Sequence, residues 1–466
     1  MNRKYKRLFS DTILFAISKF GSKILTILLV PLYTSVLSTE DYGTADIIIT
    51  TACILYPILT LSISDATLRF TLDSKTDNIH VFSNSVLVLI IASGVLIAGI
   101  LAMWLTGSVS NAHWCFLLCI AIAIQMFLEN YIKGCGKTKI FAIQGLLYTF
   151  ALVLSNIFFL LIAKIGLKGY LFSVVIANVI STLYMFFSAD CMPVVFGFSC
   201  NKELMKEMLQ YSIPMIPTTI AWWINAAADK YMLTGLIGAS ANGLYAIAHK
   251  IPTIYSTMTG LFSQAWRISA ISNYEDTEKE KFYANVYNAY SIICIYACFV
   301  LIGCSQLFAK VLFKSDYYSA WVLIPPLLIS ALFDGYSTFL ISIYAATKQT
   351  NLLFISTGIG AVFNVVLNWI MINCMGIIGA PIASFIGFII VWGIRSKQLC
   401  RVIDLDINYK SIIPGLILLI TSGMYFAYDL PGKYGVNLLC FLGAILINIR
   451  ETRKLFLKIT SIIKRR

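Results

Sequence analysis

Charge is what this sequence has least of. Only 12% of its 466 residues are Asp, Glu, Lys or Arg, while 59% are hydrophobic and the mean hydropathy is +0.82. A soluble domain carries about 25% charged residues, so this chain cannot cover a water-facing surface and reads as an integral membrane protein. Long polar stretches are also missing, which leaves no room for a separate soluble domain. The alternating pattern of a membrane barrel does not occur, so helices are the spanning element. The twelve cysteines show no zinc-type spacing. Cys115/Cys119 and Cys294/Cys298 are spaced i,i+4 within apolar runs and are expected to pack in the core. The basic start "MNRKYKRLF" leads into an apolar run that is too long for a signal peptide and contains lysines, so it reads as the first spanning helix.

What is present is a series of apolar runs. A spanning helix needs roughly 20 such residues, and windows of that length fall at about 10–35, 44–66, 82–106, 113–132, 140–163, 170–190 and 211–236. Further windows follow at about 242–266, 283–310, 319–342, 350–373, 376–396, 411–428 and 434–449. The expected fold class is therefore all-α integral membrane, with about fourteen transmembrane helices. Of the 35 Lys and Arg residues, 26 fall with the termini and the even-numbered gaps and only 5 on the other side. That bias places both termini in the cytoplasm and accounts for the net charge of +13 without nucleic-acid binding.

Two pairs of segments repeat. "VLSTEDYGTADI" and "LIGASANGLYAI" align Gly43 with Gly243 and Ile47 with Ile247, an offset of 200. "GLKGYLFSVVIAN" and "GIIGAPIASFIGF" align Gly166 and Gly169 with Gly376 and Gly379, an offset of 210. Both copies enter from the same side, so the repeat is parallel, with a pseudo-two-fold along the membrane normal and a substrate site expected between the halves. The expected division is an N-terminal six-helix lobe at 1–200, a C-terminal six-helix lobe at 201–400, and an extra hairpin with a basic tail at 401–466.

A charge within the bilayer costs at least about 2.5–3.5 kcal/mol on insertion scales, so each one needs a reason. Asp229 and Lys230 in the seventh run, and His249 and Lys250 in the eighth, lie roughly 10 Å inside the outer surface at 1.5 Å per residue. One reading pairs Asp229 with Lys250 to pin the hairpin. Another places Lys230 and His249 in a lined cavity, with Asn225 and Trp222 continuing the stripe along the helix. Lys19 and Lys23, one turn apart in the first run, either line that cationic cavity or mark an interfacial start to the helix. Asp334 in "ALFDGYSTF" is a carrier for a proton or sodium ion or a neutral buried acid. Asp65 and Arg69 read as a local pair, and Glu129 as a residue that snorkels to the inner face. Pro57, Pro252, Pro325, Pro326 and Pro381 fall within spans, where helices bend. "GCGKTK" at 134–139 imitates a phosphate loop, but the first glycine of the full pattern falls at Tyr131. It reads as a short basic turn.

At "LVPLYTSVLSTEDYGTADI" and "NAAADKYMLTGLIGASANGLYAIAHKI" the chain resembles the Wzx-type polysaccharide or O-antigen flippases, in the polysaccharide transporter family of the MATE-like MOP exporter superfamily. The shared elements are an acid–base pair, here Asp229–Lys230, a short turn, and Gly243, Tyr245, Ala248 and Lys250. The resemblance covers nearly the whole chain. It implies two six-helix lobes and a cavity that opens to either side in turn. It also implies movement of a polyprenyl-pyrophosphate-linked oligosaccharide, as in lipopolysaccharide, capsule or exopolysaccharide assembly, to the outer leaflet of a bacterial inner membrane. By that resemblance Lys19, Lys23, Lys230 and Lys250 attract the anionic head group, Asp229 or Asp334 takes part in ion coupling, and no cofactor is needed beyond H+ or Na+. Membrane lipid and other polysaccharide-assembly proteins are the implied partners. The chain departs from the family at Lys230, often Arg there, which gives a point charge without a bidentate fork. His249 adds a group that titrates near neutral pH. A MATE-like small-molecule antiporter, a lipid II flippase and a membrane-embedded polymerase remain alternatives. The last is disfavoured by short outer gaps that are poor in acids, bases and His.

Overall fold

The computed structural model describes residues 21–73, 76–105, 111–191, 197–274, 277–347, 349–403, 407–449 and 451–453. Among them all regular structure is helical. Among the described residues nine helical stretches are long and apolar enough to cross a membrane, and shorter apolar helices accompany them. Thirteen of the fourteen expected windows coincide, over their described residues, with a helix or with two in succession, and the first, at 10–35, does so from Gly21 onward, its residues 10–20 lying outside the described residues. The chain separates into two compact units, Met1–Ala227 and Ala228–Arg466.

The first unit runs α1 (Gly21–Val36), α2 (Thr39–Leu59), α3 (Ile63–Thr71), α4 (Asn78–Leu105), α5 (Ala112–Gly134), α6 (Thr138–Asn156), α7 (Leu167–Ser188) and α8 (Lys202–Ser212). Helix α6 continues as a π-helical turn, Ile157–Ile162. Trp114, Leu118 and Cys119 of α5 pack against Ala45 and Ala52 of α2 and against Leu171, Val174 and Ala177 of α7. Only 22% of the α4 window is buried, and Ile90, Ile91, Val95 and Leu101 are each more than half exposed. Such a continuous apolar face is a lipid-facing surface.

Helix α9 (Ile216–Leu236) contains the boundary between the units. Helix α8 packs on α3 and α4 and so belongs to the first unit. The second unit continues with α10 (Ala239–Ala248), α11 (Lys250–Ser272), α12 (Lys279–Gly303), α13 (Ser305–Leu312), a 3₁₀ segment (Ser315–Leu323), α14 (Ile324–Ala346), α15 (Thr350–Met375) and α16 (Gly379–Leu399). Helices α17 (Tyr409–Ala427) and α18 (Lys433–Ile447) form the final hairpin. The window over the 3₁₀ segment and α14 is 83% buried, which makes α14 the central helix of this unit. The hairpin belongs to the unit because α17 packs on α12 and α14. Lys433 adds a clasp: its Nζ donates to Asp429 at 2.5 Å and lies 4.2 Å from the Trp321 ring centroid.

Most of the prolines start helices where bends were expected. Pro252 follows the interruption at His249 between α10 and α11, where a bend was expected, while Pro325 and Pro326 open α14 and Pro381 lies in the first turn of α16. There the missing N–H interrupts no ladder bond. Pro57 does precede a break: Leu61 and Ser62 adopt φ of 52° and 51°, and the Ser62 N–H returns to the Pro57 carbonyl at 2.6 Å. Every cysteine is free; Cys115, Cys119, Cys294 and Cys298 are buried, as their spacing predicts.

Both Gly-x-x-Gly turns are built alike. Gly166 has φ 62° and ψ −134°, and Gly376 has φ 67° and ψ −144°, a region open only to glycine. Three residues later a Cβ on Gly169 would lie 3.2 Å from the Phe159 carbonyl oxygen, and one on Gly379 only 2.1 Å from that of Met371. Gly379→Ala is therefore expected to lower the thermal midpoint of the purified protein by the equivalent of about 1–3 kcal/mol. Gly358→Ala, where a Cβ meets nothing within 4 Å, is expected to leave it unchanged. Equal midpoints for the two variants would show that the tight approach is not needed.

Candidate functional site

Asp229 lies on α9 and is 8% exposed. Tyr245 of α10 donates to its Oδ2 at 2.7 Å, and Ser384 of α16 donates to the same oxygen at 2.6 Å. Asn368 of α15 donates through Nδ2 to Oδ1 at 2.6 Å. The same amide reaches the Asn364 carbonyl at 2.9 Å and the Asn364 Oδ1 at 3.2 Å. Asn364, Asn368, Tyr245 and Ser384 are all buried. Four helices of one unit thus converge on one carboxylate.

The acid–base pair with Lys250 is not formed. Helix α10 ends at Ala248, and His249, at φ −66° and ψ −14°, separates it from α11, where Lys250 is the first residue. Tyr245, further up α10, occupies the place facing Asp229. A neutral donor on the well-packed helix reaches the carboxylate, and the lysine beyond the break does not. Lys250 is half-buried, and among the described residues it enters no ion pair.

All three donors to Asp229 are uncharged. Hydrogen bonds of this kind stabilise a buried carboxylate in part, and full compensation takes a proton or a cation. The Asn368 Oδ1 is buried and accepts no hydrogen bond from the protein. That oxygen is a buried acceptor left without a donor, on the residue whose amide nitrogen meets the carboxylate.

Of the other predicted residues, Lys230 is half-buried beside Asp229, roughly 100° around the helix. His249 is exposed, with Nδ1 3.3 Å from Thr253 Oγ1, and Lys23 is exposed on α1. Asp334 is half-buried on α14. It interacts electrostatically with Arg395 of α16 but does not form a direct ion pair. Arg395 itself, which the charge count places in a basic loop, is buried. Its guanidinium donates to Ser356 Oγ (3.2 Å), Thr357 Oγ1 (2.9 Å) and the Ser337 carbonyl (3.3 Å). Lys19 lies outside the described residues, as do the side chains of Trp222 and Asn225.

Two expected local pairs also change. Arg69 approaches Asp73 at 4.0 Å, one turn onward, and not Asp65. Glu129 does not snorkel: it is 9% exposed, paired with Lys133 at 3.3 Å and bonded by Gln125 and Gln144 at 3.3 and 3.4 Å. Amides on α5 and α6 hold it in place, so it has no need to reach water. The stretch at 134–139 is the short turn between α5 and α6, with Lys137 capping the Ala189 carbonyl at 2.6 Å.

Asn364, Asn368 and Ser384 escaped sequence reasoning. The two asparagines did carry a signal, an i,i+4 amide pair on one face of an otherwise apolar 26-residue helix. Ser384, in "APIASFIG", carried none. The internal repeat sharpens the contrast: the same offsets map Asp229, Tyr245 and Ser384 onto Leu29, Ala45 and Val174 of the first unit, all buried. A helix hairpin of this kind closes on apolar side chains alone, so the carboxylate is not needed to build it.

A hydrogen bond to a charged group contributes about 1.5–3 kcal/mol. Ser384→Ala is accordingly expected to destabilise the protein by about that amount, and by much less when combined with Asp229→Asn. A thermal-unfolding double-mutant cycle reads this coupling, and strict additivity would show that Ser384 does not serve the carboxylate.

Comparisons with known proteins agree with this architecture. A curated relative is an uncharacterized membrane protein of Methanocaldococcus jannaschii, 22% identical over 420 residues, covering 84% of this chain and 98% of the relative. Among solved structures, the inward closed conformation of the lipid II flippase MurJ superposes with a TM-score of 0.69 at 16% identity. That match covers 94% of this chain and 99% of the other. An inward-facing multidrug resistance transporter of the MATE family and MOP superfamily gives a TM-score of 0.64 at 13% identity, covering 81% and 95%. These likenesses show a shared fold. Residues 8–267, more than half of the sequence, match the family described as polysaccharide biosynthesis protein, and the chain belongs to that family.

Proposed function

We propose that this protein is a flippase that carries a polyprenyl-pyrophosphate-linked oligosaccharide from the cytoplasmic to the outer leaflet by alternating access. The observation that carries the proposal is the family match over residues 8–267. The transporter fold, without any large polar loop to house enzymatic chemistry, supports it. The cargo would be a repeat unit of O-antigen, capsule or exopolysaccharide, the membrane a bacterial inner membrane, and both termini cytoplasmic, in keeping with the lysine and arginine bias. Lys230, with Lys19, Lys23 and Lys250, supplies positive charge for the pyrophosphate; lysine contributes here as a point charge.

Asp229 is the coupling residue in this reading, in preference to Asp334. A monovalent cation or proton at Asp229 neutralises the carboxylate among oxygens drawn from four helices, whereas Asp334 already faces the Arg395 charge. Sodium is accordingly expected to raise the thermal midpoint of the wild-type protein and to leave that of Asp229→Asn unmoved. A midpoint insensitive to sodium but rising on acidification in the wild type alone would assign the site to a proton. Equal responses in both proteins would remove Asp229 from the coupling scheme.

The substrate is tested in a deletion strain by measuring its lipid-linked oligosaccharide pool together with surface glycan. The pool is expected to accumulate, to clear with wild-type protein, and to persist with Lys230→Ala at normal membrane abundance. An unchanged pool and unchanged surface glycan would overturn the flippase reading in favour of small-molecule antiport.

A further inference from the structure

The first unit contains a cavity of about 720 Å³ that plays no part in the carboxylate site. Its size lies within the roughly 300–1,000 Å³ typical of ligand pockets. Leu87 of α4, Met205 and Leu209 of α8, and Ile213 and Pro214 just beyond its end make its apolar wall, and Lys202 and Lys206 stand at its edge.

Helix α8 has three faces. Leu204 and Met208 are buried with Ile63, Ala66, Val81 and Val88 and anchor the helix to the unit. Lys202, Met205, Lys206, Leu209 and Ile213 line the cavity, while Glu203 and Glu207 are exposed and do not. Lysine thus follows lysine at i,i+4, and glutamate follows glutamate. Each like-charge pair costs a helix about 0.2–0.5 kcal/mol, which Glu203 and Lys206 at i,i+3 offset in part. The pattern sorts the charges, basic toward the cavity and acidic away. Neither lysine enters an ion pair among the described residues.

The wall is also held in place. Asn84 of α4 is fully buried; it donates to the Asn201 carbonyl at 3.0 Å and accepts from the Asn201 N–H at 3.2 Å. The Asn201 side chain in turn caps the N–H groups of Glu203 and Leu204. Ser83 accepts from the Ser199 N–H at 3.0 Å. These bonds fix the start of α8, and with it both lysines, relative to α4.

We infer that this cavity is a binding site for an anionic phospholipid of the surrounding bilayer, with an acyl chain along Leu87, Met205, Leu209 and Ile213 and the phosphate at Lys202 and Lys206. The two requirements, an apolar trough and an adjoining pair of uncompensated cations, are met together by an amphiphile with an acidic head group. The site is independent of what the protein transports.

Cys200 lines the same cavity and is exposed, so it reports on occupancy. The full-length protein carrying Cys374→Ser and Cys400→Ser, which removes the other exposed thiols of the described residues, is titrated in detergent with phosphatidylglycerol while maleimide labelling of Cys200 is timed. Phosphatidylcholine of the same chains and glycerol 1-phosphate serve as comparisons. Phosphatidylglycerol is expected to slow labelling at concentrations where the other two do not. Each lysine-to-glutamine change is expected to raise the half-protecting concentration about fivefold. Glu203→Gln with Glu207→Gln is expected to leave it unchanged or to lower it. Equal protection by phosphatidylcholine would overturn the role of the lysines, and equal protection by glycerol 1-phosphate that of the apolar wall. Absence of protection, or protection that survives Lys202→Gln with Lys206→Gln, would overturn the site altogether.

Discussion

A carboxylate inside an apolar helical unit, met only by neutral donors, ties the arrangement of four helices to the charge on one group. While Asp229 is ionised, the Tyr245 hydroxyl, the Ser384 hydroxyl and the Asn368 amide are all held toward it, each from a different helix. In a low-dielectric interior those bonds are strong, and losing the charge weakens all three together. A proton or cation taken up at this point, as proposed above, would therefore act on α9, α10, α15 and α16 at once. That is the kind of local electrostatic event that can bias a conformational equilibrium.

The internal repeat separates what the backbone requires from what the site requires. Helices α2 and α10 begin at Thr39 and Ala239, and the glycines at 166 and 376 take almost the same dihedral angles. Those features recur because a tight turn between antiparallel helices needs them in either copy. The polar cluster does not recur, since Leu29, Ala45 and Val174 fill the matching positions. One copy kept an apolar junction, and the other holds a buried charge that its geometry does not need.

Two other charges in the membrane-spanning helices, Glu129 and Arg395, are compensated at short range. Glu129 is met by Lys133 and two glutamines, and Arg395 by two hydroxyls and a carbonyl. Burial of a charged group is tolerable on these terms. The lysines of α8 differ in that they lie at a cavity edge without a counter-charge.

Hydropathy and charge bias determined the fold class, because a bilayer admits few alternatives to helices and every span must be apolar over its length. Wherever the windows fall on described residues they are occupied by helices, and the glycine repeat is legible in the turn geometry it demands. Asp229 was also legible, because a charge in an apolar run is costly wherever its partners lie. Its partners were not. Register along a hairpin suggested Lys250, yet it is Tyr245 that faces the carboxylate, and Lys250, five residues on, lies on another side of the helical path. Asn368 and Ser384 are 139 and 155 residues distant from Asp229 in the chain. Only the tertiary fold, which packs α15 on α16, brings them to hydrogen-bonding distance of Asp229, and no local pattern encodes that convergence. The composition therefore determined that a charge had to be accommodated, and the tertiary structure decided which neutral groups accommodate it.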